Sequence, residues 1–437
     1  MSEQRSVSPS THAPIAPAGL PAGATVCTAC ALLCDDGVVR PAEGRFERLC
    51  ERGAESFRRH HAAAATRAAA TIDGRPADVA AAIAAAATRL SAAQRVLVTG
   101  LNDLTIEGVT KACDVAETLG AAIAPAVDDA CHPGGSLIAR CGEITAAWEE
   151  LRDRADLVIF WGHDPADSHP RFVERFVAPP LPFPRRTIAV GRVPLRIPPS
   201  ADHVHLPLDA DDDEVDLARL LLASVLERPL GAAPERLRDA TFALRSAIDA
   251  ARCVGIVTGR PDPLGLSAWS VVGVVRALSR RMPAFQVPLD SGAHAPNAAG
   301  AKAVLTWRYG ANASTARAGV AGGSPAEAID LVATGAVDSI LVLGRLPPHV
   351  DEAISTGINP RGVIRIAPDA PQGAHDGVWV PCRELFDEVG TLLRTDGRTV
   401  ELAGGTNDSL PSAVALLAAL RERLVAALPT KTEGGKA

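Results

Sequence analysis

The chain has 437 residues, 47% of them hydrophobic and 22% charged, with a formal net charge of −7. That balance is ordinary for a globular protein, and the length predicts two or three domains rather than one core. No apolar run reaches the roughly 18–20 residues of a membrane span, and no Lys/Arg stripe offers a footprint for a nucleic-acid backbone, so neither partner is expected.

In chain order, Met1–Gly23 is rich in Ser, Pro and Ala and has no apolar central region. It reads as a disordered leader rather than a signal peptide. Four cysteines follow, at 27, 30, 34 and 50, and then an Ala-rich helical stretch over Pro76–Leu90. The first strand is expected at Arg95–Gly100 and a helix at Ile106–Leu119, with Gly120 as its C-cap. Further strands are expected at Asp156–Gly162, Thr187–Gly191, Val204–Leu208, Cys253–Gly259, Phe285–Leu289, Ser339–Gly344, Gly362–Ala367 and Gly377–Pro381. Helical periodicity falls at Glu143–Arg154, Asp213–Glu227, Pro234–Ala250, Leu266–Arg281 and Pro325–Thr334. The tail Thr430–Ala437 reads like the leader. Continuous apolar strands alternating with helices predict an α/β protein with parallel sheets covered on both faces. Gly100, Gly162, Gly259 and Gly344 end strands, and ligands of such sheets bind outside the carboxyl ends, so the loops after these glycines are candidate site loops. No G-x-G-x-x-G or Walker pattern is present.

The chain has nine cysteines and no evident secretion signal, a usage that points to metal or catalysis rather than disulfides. The leading four are spaced Cys27-x2-Cys30-x3-Cys34-x15-Cys50. Thiolates are soft ligands that suit iron–sulfur clusters and zinc. Zinc sites usually offer two short pairs, whereas three close cysteines and one distant one resemble cluster ligation; zinc stays open as the alternative. Cys113, Cys141, Cys253 and Cys382 lie in apolar stretches and read as core. His163, Asp164, Asp167 and His169 share one strand-end loop, whose residue types also suit zinc. The acidic run Asp209–Glu214 precedes a helix and reads as compensation of its dipole. His60, His61, His203 and His205 read as surface or strand residues. Cys131 and His132 stand together in a Gly-containing loop, where such a pair can act as nucleophile and base.

Longer segments are more specific than these spacings. C-T-A-C-A-L-L-C-D-D at Cys27–Asp36 and L-C-E-R-G-A-E-S-F at Leu49–Phe57 resemble the start of the B-type polypeptide of formylmethanofuran dehydrogenase, in the molybdopterin oxidoreductase group. D-D-A-C-H-P-G-G-S at Asp128–Ser136 resembles that family's Cys-His loop. R-A-D-L-V-I-F-W-G-H-D-P-A-D-S-H-P-R at Arg154–Arg171 resembles a strand and loop of formate dehydrogenases. Looser likenesses follow at Gly292–His294, Thr306–Trp307 and Gly390–Arg394.

The resemblance implies a four-cysteine domain over 24–70 holding a 4Fe–4S cluster through Cys27, Cys30, Cys34 and Cys50. It implies a Rossmann-like α/β domain from 71–140 and 295–425, a second inserted over 141–294, and a tail over 426–437. On the same resemblance the family's C-terminal β-barrel is expected outside this chain, on a separate small partner. The same resemblance implies that Cys131 would ligate molybdenum or tungsten of a molybdopterin, with His132 beside it. His163, Asp164, Arg192 and Arg196 would contact that cofactor. The chain departs from the family in three places: the Cys-His loop is longer and reordered, G-R-V-P-L at Gly191–Leu195 replaces the nucleotide-holding loop, and Leu289-Asp290-Ser291 stands where a catalytic Arg is expected.

These departures resemble the B-type subunit of the bacterial formyltransferase/hydrolase complex. They imply a cytoplasmic subunit in one-carbon metabolism, degenerate at the pterin–metal site. It would work with partner subunits and a methanofuran-type carrier. The alternative is an active molybdopterin or tungstopterin subunit interconverting CO2 and formate.

Overall fold

The structure, a computed structural model, describes residues 24–40, 43–63, 69–125, 142, 144–196, 202–209, 212–259, 266–289, 295–310, 315–317, 320–324, 328–371, 376–404 and 410–427. Cys131, His132, Cys141 and the Gly292–His294 segment lie outside the described residues, as do Met1–Gly23 and residues 428–437.

The chain opens with a small antiparallel sheet, β1 (Ala24–Thr25), β2 (Gly37–Arg40) and β3 (Arg45–Glu47), followed by a helix over Glu51–Ala63. Next come the hairpin β4 (Ala70–Ile72) and β5 (Arg75–Ala77), then β6 (Val96–Thr99) and β7 (Ala122–Ile123). The middle of the chain supplies β8 (Leu157–Trp161), β9 (Arg186–Gly191), β10 (His203–Pro207), β11 (Val254–Thr258) and β12 (Ala284–Pro288). The remainder supplies β13 (Thr315–Arg317), β14 (Val320–Ser324), β15 (Ser339–Leu343), β16 (Val363–Ala367), β17 (Val378–Pro381), and the hairpin β18 (Val389–Leu393) and β19 (Thr399–Ala403).

Two larger sheets organise the molecule. The middle strands form a five-stranded, wholly parallel sheet in the order β10-β9-β8-β11-β12. Renumbered within that segment this is 3-2-1-4-5, the doubly wound order whose switch point lies between its first and fourth strands. The other sheet has nine strands, β14-β13-β7-β6-β15-β16-β17-β4-β5. Its central five are parallel, in the local order 2-1-3-4-5, and an antiparallel hairpin finishes each side. The second switch point lies between β6 and β15.

Every residue of β6, β8, β11, β15, β16 and β17 is buried, which is why these strands read as largely apolar runs, with Arg365 of β16 their one charged residue. All nine expected strands are present in order, so the α/β class with parallel sheets holds. Among the described residues no helix is long and apolar enough to cross a membrane.

Some expectations shift. The Ala-rich helix begins at Val79, because Asp78 caps it by accepting from the Ala81 amide at 2.7 Å, and Pro76 belongs to β5 instead. The helix expected from Glu143 begins at Trp148. The helices Glu51–Ala63, Ala298–Tyr309, Pro348–Gly357 and Ala413–Ala427 were not anticipated, and the last runs into the residues expected as tail.

Candidate functional site

The loop between β1 and β2 folds back on itself. The Cys27 amide donates to the Cys34 carbonyl at 2.8 Å, the Leu33 amide donates to the Cys30 carbonyl at 3.2 Å, and Leu33 takes a left-handed φ of 47°. Cys50 immediately precedes the Glu51–Ala63 helix, and its Sγ accepts from the Gly53 amide at 3.4 Å. A Cβ on Gly53 would come within 2.8 Å of the Cys27 sulfur, so the helix approaches the loop as closely as glycine allows.

The thiols of Cys27, Cys30 and Cys34 are thereby buried in one cradle, with Cys50 half-buried at its rim. Burial pushes Cys27 up to about 12, with Cys34 and Cys50 adding to the rise. Burial also raises Cys30, which feels the other three. Cys34 is raised by burial as well, but the guanidiniums of Arg175 and Arg171 oppose the rise.

Those guanidiniums come from the segment after β8. A π-helical turn spans Val173–Val177, a form found often at functional sites. Arg171, 6% exposed, donates bidentately to Asp36 at 2.9 Å and 2.9 Å, and also to Glu174 and to the Arg48 carbonyl. Arg175 donates to Asp35 at 2.5 Å, and its Nη1 lies 3.4 Å from an Asp36 oxygen. Beneath the cradle, Cys27, Cys30, Leu32 and Cys34 share a core with Phe57, Trp148, Phe172 and Phe176. Among the described residues no three His, Cys, Asp or Glu side chains are arranged to hold a single metal ion. The zinc readings of the His163–His169 loop and of the four cysteines therefore find no support.

That loop sits at the first switch point. Its neighbour there, Gly259, could not carry a Cβ, which would lie 2.0 Å from the His163 ring. Ser168 joins two imidazoles, with His163 Nε2 at 3.0 Å and His169 Nδ1 at 2.9 Å from its Oγ. Burial lowers both rings, His169 to about 3, so both are neutral near pH 7. Asp164 caps the short helical turn Pro165–Ser168 and receives the Arg196 amide at 3.1 Å and its Nε at 3.0 Å. Burial alone would raise Asp164, but these donors outweigh it and hold the carboxyl below its usual range. The structure thus brings His163, Asp164 and Arg196 together. Arg192 is exposed on the same loop as Arg196, after β9. Glu214 adds a second carboxylate, since a Cβ on Gly162 would lie 2.3 Å from its Oε2.

A further cluster, not foreseen in the sequence, closes the second switch point. The Asp103 carboxylate accepts from the Arg345 amide at 3.0 Å, and burial pushes it up to about 6. Arg345 grips Glu384 with both Nη atoms and Asp369 at 2.6 Å. His60 reaches in from the Glu51–Ala63 helix, 3.0 Å from Asp387 and 3.7 Å from Glu384. Its bonds to Asp387 and Glu384 raise it to about 9, so it is a charged anchor rather than the surface residue expected. Burial works to raise Glu384, but His60 and Arg345 outweigh it and bring the carboxyl to about 2. A crevice beside this cluster is lined by Asp103, Thr105, Cys382, Arg383 and Glu388. Cys382 is buried as expected, yet it forms part of that wall. The acidic run is also more than dipole compensation: buried Asp213 receives Arg236 at 2.7 Å and 3.1 Å.

No family model matches the chain, and no curated protein matches it. Among solved structures, the chain is similar to a chain of the crystal structure of the formyltransferase/hydrolase complex (FhcABCD) from Methylorubrum extorquens in complex with methylofuran. The TM-score is 0.67 at 22% identity, covering 82% of this chain and 99% of that one. At that identity the likeness establishes the fold.

Proposed function

We propose that this chain is a B-type subunit of a complex of the formyltransferase/hydrolase kind. It acts in one-carbon metabolism on a methanofuran-type carrier, in the cytoplasm and beside catalytic partner subunits. The observation that carries the reading is a fold likeness spanning 99% of the related chain, joined to the four-thiol cradle expected of that family.

The cradle fits a 4Fe–4S cluster held by Cys27, Cys30, Cys34 and Cys50. Four thiols that feel one another's charge are the donor set such a cluster takes. Gly53 lets the Glu51–Ala63 helix close against Cys27, and two guanidiniums stand ready to offset thiolate charge. A bound cluster would supply one-electron capacity or a structural joint.

The pterin–metal site is read as degenerate, with catalysis on the partners. At the first switch point Glu214 lies over Gly162 and Asp164 occupies Arg196; at the second, Asp103 and Glu384 surround Arg345. Carboxylates in these places repel a pyrophosphate. The second reading, an active pterin oxidoreductase with its metal on Cys131, draws on the same intact cysteines.

One preparation separates the two. The full chain is purified with its partners under anaerobic conditions and assayed for iron, sulfide, molybdenum, tungsten, pterin fluorescence and formyl transfer. Iron and sulfide with formyl transfer, and without pterin, is the expected result. Pterin with molybdenum or tungsten would establish the oxidoreductase, and a chain that holds no pterin and assembles with no formyl-transferring partner would sink both readings.

A further inference from the structure

Arg175 has a donor left over. Its Nη2 serves Asp35 at 2.5 Å, but Nη1 is buried and has no hydrogen-bond partner among the described residues. Nη1 does lie 3.4 Å from a carboxylate oxygen of Asp36, but that oxygen is already held by Arg171. An orphan guanidinium N–H in a protein interior is costly, and each such atom asks for an explanation. The π-helical turn Val173–Val177 explains how Arg175 reaches this position. The turn is fixed on both sides. Arg171, one turn earlier, is clamped to Asp36 and to the Arg48 carbonyl, and Phe172 and Phe176 are packed on Trp148. Asp35, which Arg175 holds, follows Cys34 directly in the chain, so the guanidinium stands beside the cysteine loop, and the Cys34 thiol feels Arg175 more strongly than any other charge.

We propose that Arg175 donates its unpaired Nη1–H to sulfur at the Cys34 corner of the cradle and so raises the reduction potential of the iron–sulfur cluster held there. The inference rests on the cluster reading above. A hydrogen bond and a fixed positive charge at one ligand sulfur stabilise the state that carries one more electron. Asp35 works in the opposite sense, because its carboxylate draws the same guanidinium away and partly neutralises it. The pair makes Cys34 electrically unlike the other three ligands, with Arg175 as a tuning residue and Asp35 as its counterweight.

The test uses the full chain with its partners, purified anaerobically, with iron and sulfide counted and the midpoint potential read by EPR during dithionite titration. Arg175→Met should keep the iron count and move the midpoint to more negative potential, while Arg175→Lys should return it most of the way to wild type. Asp35→Asn should move it in the positive direction, and this variant leaves the buried guanidinium in place should Arg175→Met fail to load iron. Opposite shifts in the two variants are a signature that a merely structural role would not produce. Loaded Arg175→Met or Asp35→Asn protein with an unchanged midpoint overturns the proposal alone. A wild-type complex without iron overturns the cluster reading and the proposal with it.

Discussion

At the carboxyl edge of the five-stranded sheet, Gly162 faces a side chain; at the matching edge of the nine-stranded sheet, Gly100 faces backbone. Both glycines end the first parallel strand of their sheet with left-handed φ, 62° and 89°. A Cβ on Gly162 would meet the Glu214 carboxylate at 2.3 Å, whereas one on Gly100 would meet the Leu343 carbonyl oxygen at 1.9 Å. The ions follow the same division. Arg196 is 54% exposed where it joins Asp164, while Glu384 is 9% exposed where it joins Arg345 and His60. One strand-end plan has thus yielded two different edges. The first is dressed with side chains that can move, and suits an edge that meets other molecules. The second is fastened to the N-terminal helix and works as a joint.

The sharpest way to break this contrast is to add one methyl group to each edge. Gly100→Ala is expected to lower unfolding free energy by about 3 kcal/mol or more, since backbone cannot retreat from an overpacked atom and the φ is unfavourable as well. Gly162→Ala should cost about 1–2 kcal/mol, chiefly the left-handed penalty, because Glu214 can swing aside. Equal losses in urea unfolding would show that the two edges are equally rigid. Next in size, Arg345→Met should cost about 3 kcal/mol by leaving Glu384 buried without its main partner.

The joint should also have a pH signature. His60 is raised to about 9, so its contribution is complete below about 6.5, the unperturbed histidine value. It is lost as pH rises through about 9. Wild type should therefore weaken between about pH 7 and 10, and His60→Gln should flatten that part of the curve; parallel curves would remove His60 from the joint. Smallest of all, Arg196→Ala should leave the unfolding midpoint unchanged at low and high salt, as expected of an exposed pair.

What could be read in the sequence follows from burial. Parallel strands covered on both faces are largely apolar, so nine strands stood out, and the four glycines that end β6, β8, β11 and β15 flank the two switch points. The cysteine spacing was equally plain. The second edge was not, because His60, Asp103, Arg345 and Glu384 are distant in the chain, and an ion network among them leaves no local pattern. The three-residue strands β4 and β5 are too short for period-2 alternation to register, whereas β19, T-V-E-L-A with every second residue buried, carried that signal and went unread. The helix Ala413–Ala427 was not anticipated, although its Leu spacing and its Ser412 cap, whose Oγ accepts from the Ala415 amide at 3.1 Å, are the local signals that mark it. Arg171 and Arg175 gave no warning, since their importance lies in Asp35, Asp36 and Cys34 far upstream.

The cysteine loop reaches into both halves of the molecule. Leu32 is packed with the aromatic core beneath the five-stranded sheet, while its neighbour Leu33 is packed with Leu385, Leu392, Val400 and Leu402 around the C-terminal hairpin. The left-handed φ at Leu33 lets adjacent side chains enter two different interiors. The loop is therefore a rivet driven through two plates. Sulfur chemistry at its head would be felt as tension in both plates, and a loose plate would be felt at the sulfurs.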